Sequence, residues 1–136
     1  MIFKFEPATE AQEGDFLNLA GAIEEYLEAQ AVPATATAQL MIAFDELISN
    51  VLNHGAPPQL EVSVAVEGSC VRAEVADNGA AFDPLELPEP DTGLSVEERE
   101  MGGLGVHIVR NLMDDVSYVR DSEWNRLRFS KTFAVE

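Results

Sequence analysis

The chain is predicted to fold as an α+β two-layer sandwich: a mixed, mostly antiparallel sheet of about five strands, with three helices on one face. Three observations predict it. Two long early segments repeat their apolar residues at helical spacing, residues 60 to 75 switch to a period of two, and a third helical stretch precedes a final alternating pair.

Residues 2 to 6 alternate and predict a short opening strand. A helix follows over about 10 to 30, because Phe16, Leu19, Ala20, Ile23 and Leu27 form one apolar stripe. Pro33 suits the first turn of a second helix, which runs to about His54 and stops at Gly55 and Pro57-Pro58. Its inward face is Leu40, Phe44, Leu47, Ile48 and Val51. Leu60, Val62, Val64 and Val66 then alternate, Gly68-Ser69 turns the chain, and Val71, Ala73 and Val75 alternate again. That is a β-hairpin with one buried face. Residues 78 to 102 are rich in Pro, Gly, Asp and Glu and read as a loop long enough to be a lid. A third helix over about 104 to 114 carries Val106, Ile108-Val109 and Leu112-Met113, and strands at 116–120 and 126–133 flank a turn at 121–125.

At 136 residues, with 46% hydrophobic and 24% charged, the chain is sized for one domain spanning 1–136. No apolar run is long enough to span a membrane, and the opening Met1-Ile2-Phe3-Lys4-Phe5-Glu6 lacks the pattern of a secretory signal. Cys70 is the single cysteine, which excludes an internal disulfide and fits a cytoplasmic location. A net charge of −17 repels nucleic acid and anionic membranes, so neither is an expected partner. Such a chain attracts basic proteins, and it can hold an anionic nucleotide only through backbone N–H groups and a metal ion.

Three groups of residues could carry chemistry. Glu46, Asn50 and His54 stand four apart on the second helix as one polar row, flanked by Asp45, Ser49 and Asn53, and residues 33 to 56 contain no basic residue. Oxygen donors without a cation suit a metal ion or a general base. They equally suit a solvated face with His54 near the helix C-terminus. Second, Asp77-Asn78-Gly79 ends the apolar strand 71–76. An Asp there can accept a hydrogen bond from an amino group, and Gly79 allows close approach of a flat ligand, although Asn-Gly is also a common turn. Third, Gly102-Gly103-Leu104-Gly105 opens the third helix, where several N–H groups can converge on one anion. It is neither a Walker loop nor a Rossmann fingerprint.

Taken in order, these segments resemble the N, G1 and G2 boxes of the histidine kinase-like (GHKL) ATPase superfamily. Within it the chain is most similar to the bacterial anti-sigma-factor serine/threonine kinases and their small stand-alone relatives. The resemblance rests on Phe44-Asp45-Glu46-Leu47-Ile48-Ser49-Asn50 with His54, Asp77-Asn78-Gly79 with Phe82-Asp83-Pro84, and Gly102 through Arg110. Leu112 through Val116 and Asn125-Arg126-Leu127 add to it, and it covers about residues 38 to 132.

The resemblance implies the Bergerat ATPase fold, with ATP and Mg²⁺ as cofactors. It makes Asn50 the magnesium ligand and Glu46 the general base for the attacking hydroxyl. Asp77 would bond the adenine amino group, with Gly79 leaving room for the ring. Gly102, Gly103, Leu104 and Gly105 would cradle the phosphates; Asn53 would face the nucleotide or solvent; and Asn125 would lie near adenine. Met101 stands where many relatives carry another glycine, and Arg99 is the lid's one basic residue. The implied function is that of an anti-sigma kinase, which binds a sigma factor and phosphorylates a serine on a STAS-domain anti-anti-sigma protein, often as a homodimer. A nucleotide-responsive binding module that sequesters its partner without phosphorylating it would use the same boxes. A detached histidine kinase catalytic domain fits less well, because no two-helix phosphoacceptor hairpin precedes the second helix.

Overall fold

The computed structural model describes residues 2–5, 12–55, 59–86 and 103–134, with side chains described over 18–51, 59–85 and 105–134. The elements are β1 (Ile2–Phe5), α1 (Gln12–Ala29), α2 (Ala34–Gly55), β2 (Leu60–Glu67), β3 (Cys70–Asp77), α3 (Gly103–Leu112), β4 (Asp115–Asp121) and β5 (Trp124–Thr132). A 3₁₀ turn at Pro84–Glu86 interrupts the expected lid, whose residues 87–102 lie outside the described residues.

The strands form one five-stranded sheet in the order β1-β2-β3-β5-β4, and all four pairings are antiparallel. Two hairpins account for most of it. Gly68, at φ 61°, is the first central residue of the β2–β3 turn, where positive φ matches the twist of the flanking strands. In the β4–β5 turn Ser122 adopts φ 56° in the same position, so the turn is two residues long and the strands reach further inward than the expected 121–125 loop allows.

One face of the sheet carries Leu60, Val62, Val64, Val71, Ala73, Val75, Leu127 and Phe129, all buried. All three helices pack on it. Leu19, Ile23 and Leu27 come from α1; Leu40, Ala43, Phe44, Leu47 and Ile48 from α2; Val109 and Met113 from the α3 end. Phe44 meets Phe129 edge to face at 5.1 Å and 68°, a pairing that contributes about 0.5–1.5 kcal/mol beyond burial and pins α2 across β5. Ile108 departs from expectation. It is 38% exposed, because Val106, Val109 and Met113 already fill the inward stripe and Ile108 lies off it. The opposite face is polar: Glu74 on β3 is bridged by Arg126 at 3.2 Å and Arg128 at 2.8 Å.

Two junctions set how the helices sit on the sheet. At the end of α1, Val32 N donates to Leu27 O and Ala31 N to Glu28 O, with Ala31 at φ 62°. This is a Schellman cap with alanine in the left-handed position that glycine normally fills. At the end of α3, Lys131 Nζ donates to Leu112 O, and Asp114 Oδ2 accepts from both the Thr132 backbone N–H and its hydroxyl. Those bonds, chiefly the backbone one, hold the Asp114 carboxyl below its ordinary range near 3.8.

Replacing Ala31 with glycine removes the steric penalty of the left-handed cap, and should raise the unfolding free energy by up to about 1 kcal/mol in chemical denaturation. A depressed carboxylate stabilises above its unfolded pKa and loses that contribution as pH falls through its folded one. The stability gap between the parent and Asp114→Ala should therefore be largest at neutral pH and close as pH drops below 3.8. A gap independent of pH would contradict the assignment.

Candidate functional site

The site follows from strand register. Asp77, the last residue of β3, pairs with Asn125 of β5, and Asn125 pairs in turn with Arg120 of β4. Side chains on paired residues share a face, so Asp77 and Asn125 both point to the helical layer. Both are buried. α2 crosses above them and supplies Leu47, Asn50 and Val51. Together with Val75, Ala80, Phe82, Pro84, Tyr118 and Leu127 these residues line a cleft of about 470 Å³, part of it open to solvent.

A dense hydrogen-bond network braces the inner end of this cleft. Asp77 Oδ1 accepts from Gly79 N at 2.9 Å and from Asn125 Nδ2 at 3.1 Å. Asn125 Nδ2 also donates to Ala80 O at 2.8 Å, while Asn125 Oδ1 accepts from Phe82 N at 3.2 Å and from the Tyr118 hydroxyl at 2.5 Å. One buried amide thus ties β3, β4 and the 79–82 turn together. Burial pushes the Tyr118 phenol above its ordinary pKa, so it stays protonated at neutral pH. Two arginines outside the cleft brace the same turn: Arg120 Nη1 donates to Gly79 O and Arg110 Nη2 to Leu85 O. Asn78 faces away and ties to Gln59, whose N–H it accepts at 2.8 Å.

The polar row on α2 divides its work. Asn50 is 4% exposed and lines the cleft, and its Nδ2 has no hydrogen-bond partner. An unpaired buried amide costs about 1–3 kcal/mol, so this atom calls for an acceptor beyond the described residues, such as water or a ligand. A half-turn of the terminal torsion would present the amide oxygen instead. Glu46, one turn earlier, is half-buried and stands against α3. A β-carbon built on Gly105 would overlap the Glu46 carboxyl, passing 2.6 Å from its Cδ. Gly105 must lack a side chain for the carboxylate to rest there. Gly103, Leu104 and Gly105 form the first turn of α3, whose N–H groups have no partner within the helix. Gly102 lies outside the described residues, as do the side chains of Asn53 and His54.

The described residues therefore bring Asn50, Asp77 and Asn125 to one cleft, with Gly79 bonded to Asp77 behind its lining, and Glu46 to Gly105. Reading the chain alone missed Tyr118 and the brace formed by Arg120. Their signal was the alternation of Val116, Tyr118 and Arg120, but which strand they face is a matter of register. Among the described residues no Arg or Lys lines the cleft, and no group of three His, Cys, Asp or Glu could hold a metal by itself. No described helix is long and apolar enough to cross a membrane.

The family described as "Histidine kinase-like ATPase domain" matches residues 9–131. The chain is 31% identical over 101 residues to the serine/threonine-protein kinase BtrW of Bordetella bronchiseptica, covering 71% of each chain. It is 32% identical over 90 residues to the serine-protein kinase RsbW of Listeria monocytogenes, covering 60% of this chain and 57% of that one. In fold it is similar to the RsbU and RsbW domains of a Mycobacterium tuberculosis protein, with TM-score 0.63 and 14% identity over 97% of this chain and 31% of that one. It is also similar to the Acinetobacter baumannii histidine kinase AdeS, with TM-score 0.55 and 13% identity over 97% of this chain and 67% of that one.

The contact between Gly105 and Glu46 makes a coupling prediction. In the parent, Gly105→Ala makes the flexible Glu46 side chain swing aside, so part of the roughly 1 kcal/mol of gained helix propensity is lost. In a Glu46→Ala background the clash is gone, and the same substitution should stabilise more. Denaturant melts of the four proteins in this cycle check it; additive effects would refute the contact.

Proposed function

Because the chain belongs to the histidine kinase-like ATPase domain family, we propose that it is an ATP-dependent serine/threonine protein kinase of the anti-sigma-factor type. In this reading residues 1–136 act as one cytoplasmic ATP-binding domain. It phosphorylates a serine on a STAS-domain anti-anti-sigma protein and sequesters a sigma factor, with a homodimer as the working unit. The kinase names of two relatives support the reaction class.

The observation that carries the proposal is Asn50, a buried amide with an unpaired atom in the same cleft as Asp77. With the amide turned so that Oδ1 faces the cleft, Asn50 suits Mg²⁺, which keeps several waters and takes few protein ligands beside nucleotide phosphates. Asn50 would hold that ion, whose charge would offset that of the phosphates. The N–H groups of Gly103, Leu104 and Gly105, which have no partner within the helix, would receive phosphate oxygens, with Gly102 proposed to join them. Asp77 would accept from the adenine amino group, Gly79 would leave space for the ring, and Asn53 would border the nucleotide.

Glu46 then serves as general base. It takes the proton from the substrate serine as that oxygen bonds to the γ-phosphorus and the bond to the β-phosphate oxygen breaks, leaving ADP and phosphoserine. Gly105 keeps its carboxylate beside the first turn of α3, the part of the fold assigned to the phosphates.

A second reading has its own observation. With no Arg or Lys lining the cleft among the described residues, transition-state charge falls to the metal and backbone N–H groups. That favours slow turnover, and in the limit a nucleotide-responsive binding module that sequesters a regulatory partner without phosphorylating it.

Labelled Mg-ATP with the antagonist protein separates the two. Transfer should appear on serine, fall by about 10²–10⁴-fold in Glu46→Gln, and leave nucleotide affinity nearly intact. Asn50→Ala or removal of Mg²⁺ should abolish binding itself. Undiminished transfer in Glu46→Gln would remove the base from the proposal, and binding without transfer to any partner would favour the module.

A further inference from the structure

The hydrogen-bond network at the inner end of the cleft has a direction. One side of the Asn125 amide faces Asp77 Oδ1 and Ala80 O, both of which only accept. The other side faces the Phe82 N–H, which only donates. The NH₂ must therefore lie toward Asp77 and the oxygen toward Phe82; the reverse orientation would set like against like at every contact. The Tyr118 hydroxyl, 2.5 Å from that same oxygen, must spend its one proton on it. What remains of its oxygen can then only accept; the Phe82 N–H already faces it, and one lone pair is left for the cleft. Asp77 is likewise a pure acceptor, and its two donors among the described residues both converge on Oδ1.

We propose that Tyr118 and Asp77 present two acceptors to the cleft, so that Tyr118 is a specificity-determining residue and Asn125 a positioning residue that orients it. The ligand class this selects is a heteroaromatic base carrying an exocyclic amino group, whose two N–H bonds diverge as two separated acceptors require. A base with a carbonyl at that position would set its oxygen against the tyrosine oxygen and be rejected. Asn125 touches no ligand in this scheme: all its hydrogen-bonding capacity toward the protein is committed, and its burial keeps it so. The inference rests on the nucleotide reading of the cleft, and adds to it the residue that counts donors on the base.

The test is calorimetric binding of Mg-ATP and Mg-ITP, which differ in the amino group against a carbonyl, to the parent and to Tyr118→Phe. The phenylalanine keeps the ring and deletes only the hydroxyl. One lost hydrogen bond should weaken Mg-ATP about tenfold, while Mg-ITP, freed from the opposing oxygen, should bind as before or more tightly. The ATP-to-ITP preference should therefore shrink about tenfold. A purely structural tyrosine would weaken both ligands together, and an unchanged ratio would overturn the inference while leaving nucleotide binding intact. Thermal melts of both proteins confirm that the variant remains folded at the assay temperature. If the folded parent binds neither nucleotide at millimolar concentration, the nucleotide reading itself falls, and this inference with it.

Discussion

Asp77 and Asn125 face each other at the end of two central strands, on the apolar side of the sheet, and neither can be buried without the other. A buried carboxylate needs donors, and a buried amide needs both donors and acceptors. The chain meets these needs by folding the 79–82 turn back over the pair and bringing Tyr118 across from β4. The inner end of the cleft is a product of this satisfaction. The walls are ordinary packed hydrophobes, and its polarity is the residue left once the protein's internal hydrogen bonds are made.

The helical layer shows the complementary case. α2 is anchored through Phe44, Leu47 and Ile48, which are buried in the common core, so its polar row has no freedom to rotate. Asn50 is carried into the cleft unpaired, and Glu46 is carried to α3 at a point where only glycine leaves room. The overall charge of −17 adds a constraint on any anionic ligand. Among the described residues, four arginines are committed elsewhere: Arg126 and Arg128 to Glu74 on the far face, Arg120 to the carbonyl of Gly79 and Arg110 to that of Leu85. These described arginines lie outside the cleft, and Arg110 and Arg120 brace its turn from there.

Much of this was legible beforehand because it is local. The stripe at Leu19, Ile23 and Leu27, the alternation through 60–75, and the order of the three motif segments are all patterns of short range, and each holds in the structure. What sequence reading missed depends on long-range geometry. Tyr118 looked like one more strand residue until pairing with Leu127 turned it toward Asn125. Ile108 looked like core because it repeats with Val109 and Leu112 at helical spacing, yet the stripe it would join was already complete.

The sequence by itself determined the α+β layering, the antiparallel hairpin at 60–77 and the final strand pair, and the identity of the polar residues available for chemistry. Periodicity and turn residues encode those directly. Tertiary structure alone decided which of them meet: Asp77 with Asn125 and Tyr118, and Glu46 with Gly105. Strand register and helix docking are set by the whole core at once, and a shift of one residue would turn each of those strand side chains to the other face.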